Sequence, residues 1–279
     1  MRPEVVRHLT CPVCGLPLHI ADGPRGPLRC PRAHSFDQAR QGYAQLTAGP
    51  LTHTGDTAAM VASRGALLGA GRYAMITSAV AQAAAARWPG GLTVDVGAGT
   101  GHHLAGVLDA VPDAYGLATD VSRAAARVAA RAHDRADAII CDAWQPLPIA
   151  DGAAGIVLNV FAPRPGAEFA RILRPDGALI VVTPTTEHLA ELIEPLGLLG
   201  VDPTKGDRVA VALEHGFRLE SSTTHARLMT LSRPDVATLV AMGPSPHHIG
   251  TDELTARVGR LAEPASVTAS VTVGVYRPR

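Results

Sequence analysis

The chain has 279 residues, 47% of them hydrophobic and only 4% aromatic, with 25 basic and 25 acidic side chains. That length suits one large domain, or a medium domain with an appendage, around a core built mainly of Ala, Val and Leu. No apolar run approaches the ~18 residues of a membrane span, and the start Met1-Arg2-Pro3-Glu4 is not an apolar signal segment, so a cytoplasmic protein with no membrane partner is expected.

The zero net charge hides an asymmetry. Residues 1–90 carry nine Arg and four acids, while residues 91–279 carry sixteen basic and twenty-one acidic side chains. A basic front beside an acidic body points to an anionic partner engaged by the front. Arg outnumbers Lys twenty-four to one. Arg suits bidentate phosphate contacts, although a composition bias of the genome would give the same ratio.

The front opens with Cys11-Pro12-Val13-Cys14, then Cys30 and His34, the pattern C-x2-C-x15-C-x3-H. The first pair lets one tight turn aim two thiolates at one ion, and Cys30 with His34 forms the opposite jaw of a structural zinc site. Three Cys cannot all pair as disulfides, and a cytoplasmic setting disfavours them. With four protein ligands the ion is structural rather than catalytic. Residues 1–36 are therefore expected to form a zinc module with little core of its own, folded by its metal. Cys141, the remaining thiol, sits in a strand pattern and reads as a buried free Cys.

Residues 37–55 contain Gly42, Gly49, Pro50 and Gly55 and read as a connecting loop. Asp56 can cap a helix beginning at Thr57, and a second helical stretch runs from Tyr73 to Trp88. Loop and helices, 37–91, lead to the main domain, 92–279. It opens on Val94-Asp95-Val96-Gly97-Ala98-Gly99-Thr100-Gly101, a buried strand ending in a glycine turn that enters a helix. Glycine lets the backbone approach a nucleotide-like ligand closely. A dinucleotide site wants its third glycine at position 102, which is His102. The spacing here is G-x-G-x-G behind Asp95, and it looks like motif I of S-adenosylmethionine-dependent methyltransferases.

Further strands follow in α/β alternation. Gly116–Asp120 ends in an acid 21 positions after Gly99, placed for ribose hydroxyls. Ala138–Asp142 ends in an acid suited to the adenine end, or to a cap. Gly155–Asn159 and Leu173–Val182 complete the parallel set. Beyond them, Glu187–Leu199 reads as helix, Phe217–Leu231 and Ser266–Tyr276 as two strands, and the region near Pro234–Met242 as a helix between them. The fold class expected is α/β: a Rossmann-like class I methyltransferase domain behind an N-terminal zinc-binding module.

The zinc module in front of this motif resembles the bacterial 23S ribosomal RNA guanine-N1 methyltransferases, and most nearly the actinomycete branch that gives resistance to tylosin and related macrolides. The resemblance runs nearly end to end. It includes Phe36-Asp37, Gln41-Gly42-Tyr43, Gly55-Asp56-Thr57-Ala58-Ala59-Met60-Val61 with Arg64, Gly71-Arg72-Tyr73, Gly101-His102-His103-Leu104, Asn159-Val160-Phe161-Ala162-Pro163-Arg164, Thr183-Pro184, His188-Leu189 and Ala241-Met242-Gly243-Pro244. It departs at Arg72, where relatives often carry His, and at Thr100, where many carry Glu.

The resemblance implies a homodimer acting on a 23S rRNA hairpin loop near the macrolide site. It also implies that Tyr73, Gly99, Thr100 and His188 hold S-adenosylmethionine, beside Asp95, Gly97, Gly101, Asp120 and Asp142. Guanine N1 lies on the pairing edge, so the base must be unpaired or flipped. Asn159, Phe161 and Pro163, at a strand end facing the cofactor, are expected to form the base pocket. His102 and His103 are candidates for phosphate contact or proton relay. The zinc module, with Arg25, Arg29, Arg32 and Arg40, would grip the RNA by shape and phosphates. A small-molecule methyltransferase, or an RNA-binding zinc protein without activity, are the alternatives.

Overall fold

The computed structural model of the chain describes residues 1–243 and 251–279. Pro244 therefore lies outside the described residues. Short apolar runs bounded by glycine turns become a parallel sheet covered on both faces. Its centre is β5 (Leu92–Val96), β6 (Tyr115–Asp120), β7 (Ala136–Ile140), β8 (Ala154–Val160) and the start of β9 (Leu173–Pro184). Every residue of β5 and β7 is buried, as a doubly covered parallel strand requires. Two long strands, β10 (Phe217–Leu231) and β11 (Ala265–Pro278), close one side antiparallel, and the short β4 (Tyr43–Gln45) closes the other, giving the order β10-β11-β9-β8-β5-β6-β7-β4.

The last member of that order departs from expectation. Within the segment read as a connecting loop, β4 (Tyr43–Gln45) pairs in parallel with β7 and forms the outer edge of the sheet. Leu46 N extends the ladder to Ile140 O at 3.0 Å. The next two elements are α2 (Ala58–Gly69), capped by Thr57 rather than Asp56, and α3 (Ala74–Ala85). Helix α4 (His102–Ala110) follows β5, α5 (Arg123–Ala129) follows β6, and α6 (Gly166–Ile172) follows β8. Beyond β9, α7 is shorter than read, Ala190–Leu196. Helices α8 (Lys205–Leu213) and α10 (Thr251–Gly259) lie outside the expected elements, and α9 (Arg233–Ala241) and α10 precede β11.

Strand alternation divides the core. Ala178, Ile180 and Val182 of β9 face one cluster with α3, α4 and α9, while Leu179 and Val181 face another. The second cluster contains the N-terminus. Here α1 is Pro3–Val6, and a small sheet of β1 (His19–Ile20), β2 (Leu28–Arg29) and β3 (Ser35–Phe36) forms the ribbon. Val5, Val6, Leu9, Leu18 and Leu28 pack with Leu92, Val94, Leu117 and Ile139 of the main sheet. Arg2 pins the contact: its backbone N–H and guanidinium reach the buried Asp137 carboxylate at 2.8 and 3.0 Å.

The ribbon therefore shares the core of the sheet rather than building a separate one. Leu9→Ala is predicted to cost about 2–5 kcal/mol in a single urea-unfolding transition of the whole chain. Two transitions, with the later one at the parental midpoint, would show two independent units.

Candidate functional site

The metal centre is built from two local turns. Gly15 N–H donates to Cys11 O at 2.8 Å, which folds Cys14 back beside Cys11. Ala33 N–H donates to Cys30 O at 2.9 Å and Cys30 N–H to His34 O at 3.1 Å, closing the second jaw. The four ligand atoms lie within 4.8 Å of one another. Cys14 Sγ is 3.7 Å from Cys30 Sγ, and His34 Nδ1 is 3.5 Å from Cys11 Sγ and 3.4 Å from Cys30 Sγ. A tetrahedral zinc with sulfur at about 2.3 Å and nitrogen at about 2.0 Å demands edges of about 3.5–3.8 Å. The donor set and its spacing fit that ion. Because the ribbon is fused to the main core, Cys30→Ser is predicted to lower the thermal midpoint of the whole protein. An unchanged midpoint in calorimetry would contradict this.

The second site lies where the strands of the parallel sheet end. After β5 the chain turns through Gly97 (φ 75°), Gly99 (φ 55°) and Gly101 (φ 74°), all left-handed. At Gly97 a Cβ would also stand 2.6 Å from Ala162 Cβ, so no side chain fits there. Asp120, at the end of β6, accepts N–H bonds from Gly99 at 2.9 Å and Ser122 at 2.8 Å. One carboxylate thus holds the glycine turn and the start of α5 together. Burial raises its pKa, partly offset by those two amides.

Beside the turn opens a cavity of about 340 Å³. Of the expected cofactor residues, Tyr73, Asp95, Gly97, Thr100 and His188 line it. Asp95 Oδ1 and Thr100 Oγ1 are buried there without a hydrogen-bond partner. These are an acceptor and a hydroxyl of the kind that the amino-acid end of S-adenosylmethionine can satisfy. Burial, and then the charge of Asp120, push Asp95 up to about 7.

Ser270 N–H donates to His188 Nδ1 at 3.1 Å, so the neutral ring carries its proton on Nε2, 3.2 Å from Tyr73 Oη. His103 also reaches the wall, with Nδ1 2.9 Å from Thr77 Oγ1. Burial, with the charges of His102 and Arg64, pushes it down to about 3. Burial therefore favours its neutral form.

The expected base pocket is assembled differently. Phe161 lines the cavity, 42% exposed, with left-handed backbone (φ 54°) and its ring 5.8 Å from that of His188. Asn159 is fully buried, and its amide donates to Pro163 O at 2.7 Å. Neither Asn159 nor Pro163 lines the cavity. Their amide–carbonyl bond ties off the turn that presents Phe161.

Asp142 sits on a second cavity of about 280 Å³. Its carboxylate is held by Thr52 Oγ1 at 3.0 Å, His53 Nδ1 at 2.7 Å and Trp144 N at 3.0 Å. Burial opposes its charge, but these hydrogen bonds outweigh burial and hold it below the usual carboxylate range. Residues 52–56 thus form a strap over the ends of β6 and β7. Ser122 Oγ donates to Asp56 O at 2.6 Å, and Asp56 pairs with Arg64 at 2.5 Å. Arg64 in turn donates to Met242 O at 2.9 Å. The strap's contacts to Asp142 and Ser122 join distant parts of the chain, so no local pattern announces them.

For Asp95 the linkage has a definite sign. Its pKa rises from 3.8 to about 7 on folding, so folding takes up a proton in that window. Stability from this group is present at low pH and falls as pH rises toward 7. Asp95→Asn is predicted to stabilise the ligand-free protein at pH 8, on the order of 2–4 kcal/mol, and hardly at pH 4. Urea unfolding at both pH values checks it; equal effects at both would remove the buried charge as the cause.

Three comparisons place this geometry among known proteins. The family model described as "RlmA, N-terminal", a zinc ribbon, matches residues 9–48. A Micromonospora griseorubida protein, provisionally named a 23S rRNA (guanine-N1)-methyltransferase, is 53% identical over 100% of both chains. The 23S rRNA (guanine(748)-N1)-methyltransferase of Streptomyces fradiae is 47% identical, over 100% of this chain and 99% of its own. Among solved structures, the complex between the Haloferax volcanii Trm112 methyltransferase activator and a methyltransferase matches 81% of this chain and 99% of the solved one, at 18% identity and a TM-score of 0.50. That likeness concerns the fold alone.

Proposed function

Since this chain belongs to the family of 23S rRNA (guanine-N1)-methyltransferases, we propose that it methylates N1 of a guanine in a 23S rRNA hairpin loop near the macrolide site and so confers resistance to tylosin-type macrolides. The observation that carries the reading is the cavity beside the glycine turn, where unpartnered Asp95 and Thr100 atoms meet an exposed aromatic at the mouth.

When bound, S-adenosylmethionine would supply an electrophilic methyl group: the N1–CH3 bond forms as the sulfonium S–CH3 bond breaks, S-adenosylhomocysteine leaves, and the N1 proton passes to solvent at the open mouth. The residues of the chain hold and align. Asp95 accepts from a cationic amine, and Thr100 bonds the adjoining polar end. Tyr73 is oriented by the proton on His188 Nε2, while the Asp120 carboxylate keeps the glycine turn in place. Phe161 stacks the flipped guanine at the mouth, and the apolar walls exclude water.

The protein acts in the cytoplasm as a homodimer, whose two ribbons flank the RNA. The ribbon is its RNA-recognition part and residues 92–279 carry most of the catalytic part; residues 37–91 connect the two and also lend the catalytic part β4 and the cavity residue Tyr73.

Primer extension on 23S rRNA from cells with and without the gene tests the reading, because an N1 methyl blocks pairing and stops the polymerase. The expected result is one new stop at a loop guanine, with raised tylosin tolerance. No new stop would refute the activity; a stop without tolerance would refute the resistance. Phe161→Ala is predicted to lower kcat/KM for RNA by about 5- to 100-fold, the worth of one base–aromatic stack. Its affinity for S-adenosylhomocysteine should stay within about twofold of the parent; a large loss there would place Phe161 in the cofactor site instead.

A further inference from the structure

Helix α5 carries Arg123 and Arg127 four residues apart, and Arg131 follows four residues later, just past the helix cap at Ala130. All three are exposed. Four residues of helix advance about 6 Å along one face, a step comparable to that between successive phosphates of an RNA strand. Beneath them, Ala125, Ala126 and Ala129 bury the opposite side against the sheet.

Many arginines of this chain are already committed to acids. Arg64 pairs with Asp56, Arg72 with Asp235, Arg87 with Glu220, Arg171 with Glu168 and Arg257 with Glu253. Among the described residues none of the three on this row forms an ion pair; Arg123 donates only to the neutral Gln45 of β4, at 3.1 Å. A composition bias explains the number of arginines, but not a row of three on one face left without acids.

The row is continuous with the ribbon end of the molecule. The turn after the ribbon, closed by Gly42 N–H to Ala39 O at 2.8 Å, carries the exposed Arg40. A Cβ on Gly42 would stand 3.8 Å from Ala130 Cβ, so this turn lies against the end of α5. At its other end the row begins next to Ser122, whose N–H is held by Asp120.

We propose that Arg123, Arg127 and Arg131, continued by Arg40, form a track that binds the phosphodiester backbone of the RNA substrate between the ribbon and the catalytic cleft. This rests on the reading of the chain as an rRNA methyltransferase. Guanidinium groups match phosphate oxygens in bidentate geometry and hold register without reading sequence.

The test compares full-length parent protein, Arg127→Gln/Arg131→Gln, and a control pair, Arg218→Gln/Arg227→Gln. The control residues are exposed on β10, at the opposite edge of the sheet. Binding of in-vitro-transcribed 23S rRNA is measured from 50 to 300 mM salt, together with calorimetric affinity for S-adenosylhomocysteine and methyl transfer to the same RNA. The track variant should bind RNA at least about tenfold more weakly at low salt. Its slope of log affinity against log salt should fall by about one per arginine removed. Its cofactor affinity should match the parent, and the control pair should keep the parental slope.

A parental slope in the track variant overturns the proposal, as does an equal loss in the control pair, which would mean a general charge effect. A loss of cofactor affinity in the track variant also overturns it, because the row would then be part of the cleft. If the parent itself transfers no methyl to 23S rRNA, the functional reading fails instead, and the salt slopes still show whether the row binds RNA.

Discussion

The site turns on one carboxylate. Asp120 stands at the end of β6 and accepts two backbone N–H bonds, one from the glycine turn and one from the start of α5. Gly97 and Ala98 N–H donate to Thr119 O at 2.9 and 3.0 Å and hold the start of the turn, while Asp120 holds Gly99 at its middle, where no glycine side chain can add a contact. The same corner anchors the strap, because Ser122 bonds both Asp120 and Asp56. Removing Asp120 would loosen the turn, the helix start and the strap together.

A second dependence runs through the core. The metal jaws close a ribbon whose apolar side chains are buried against the main sheet, and Arg2 ties the ribbon to Asp137. The metal therefore stabilises more than the segment that ligates it. This arrangement also gives the ribbon a fixed position relative to the cleft, rather than a tethered one. Family membership decides between the readings the sequence leaves open: full-length relatives named for guanine-N1 methylation stand against a small-molecule enzyme and against an inactive binding protein.

What could be read from the sequence follows the range of the interactions. The zinc ligands are legible because each jaw is local, and β5 to β9 because buried parallel strands are short apolar runs. The bounds of β10 were legible from alternation at its two ends, Phe217-Arg218-Leu219-Glu220 and Met229-Thr230-Leu231, although its middle is exposed. Strand β4 was not: three residues, Tyr43-Ala44-Gln45, become a strand only because β7 offers an edge. The hydrogen-bond partners of Asn159 and Asp142 were not legible for a similar reason. A polar residue at a strand end predicts a site, but its partner is chosen by the turn that follows, as Pro163 is for Asn159, or by distant chain, as Thr52 and His53 are for Asp142. Phe161 lines the cavity, and its presentation there depends on a left-handed backbone that no sequence rule assigns to Phe.

The most direct test of this account is a calorimetric titration of Asp120→Ala with S-adenosylhomocysteine. The account requires a loss of roughly 1.5–3 kcal/mol in binding, because the glycine turn beside the cavity loses the charge-assisted bond that holds Gly99. Parental affinity in a folded variant would mean that the glycine turn holds its shape without Asp120, and the centre of the account would be gone.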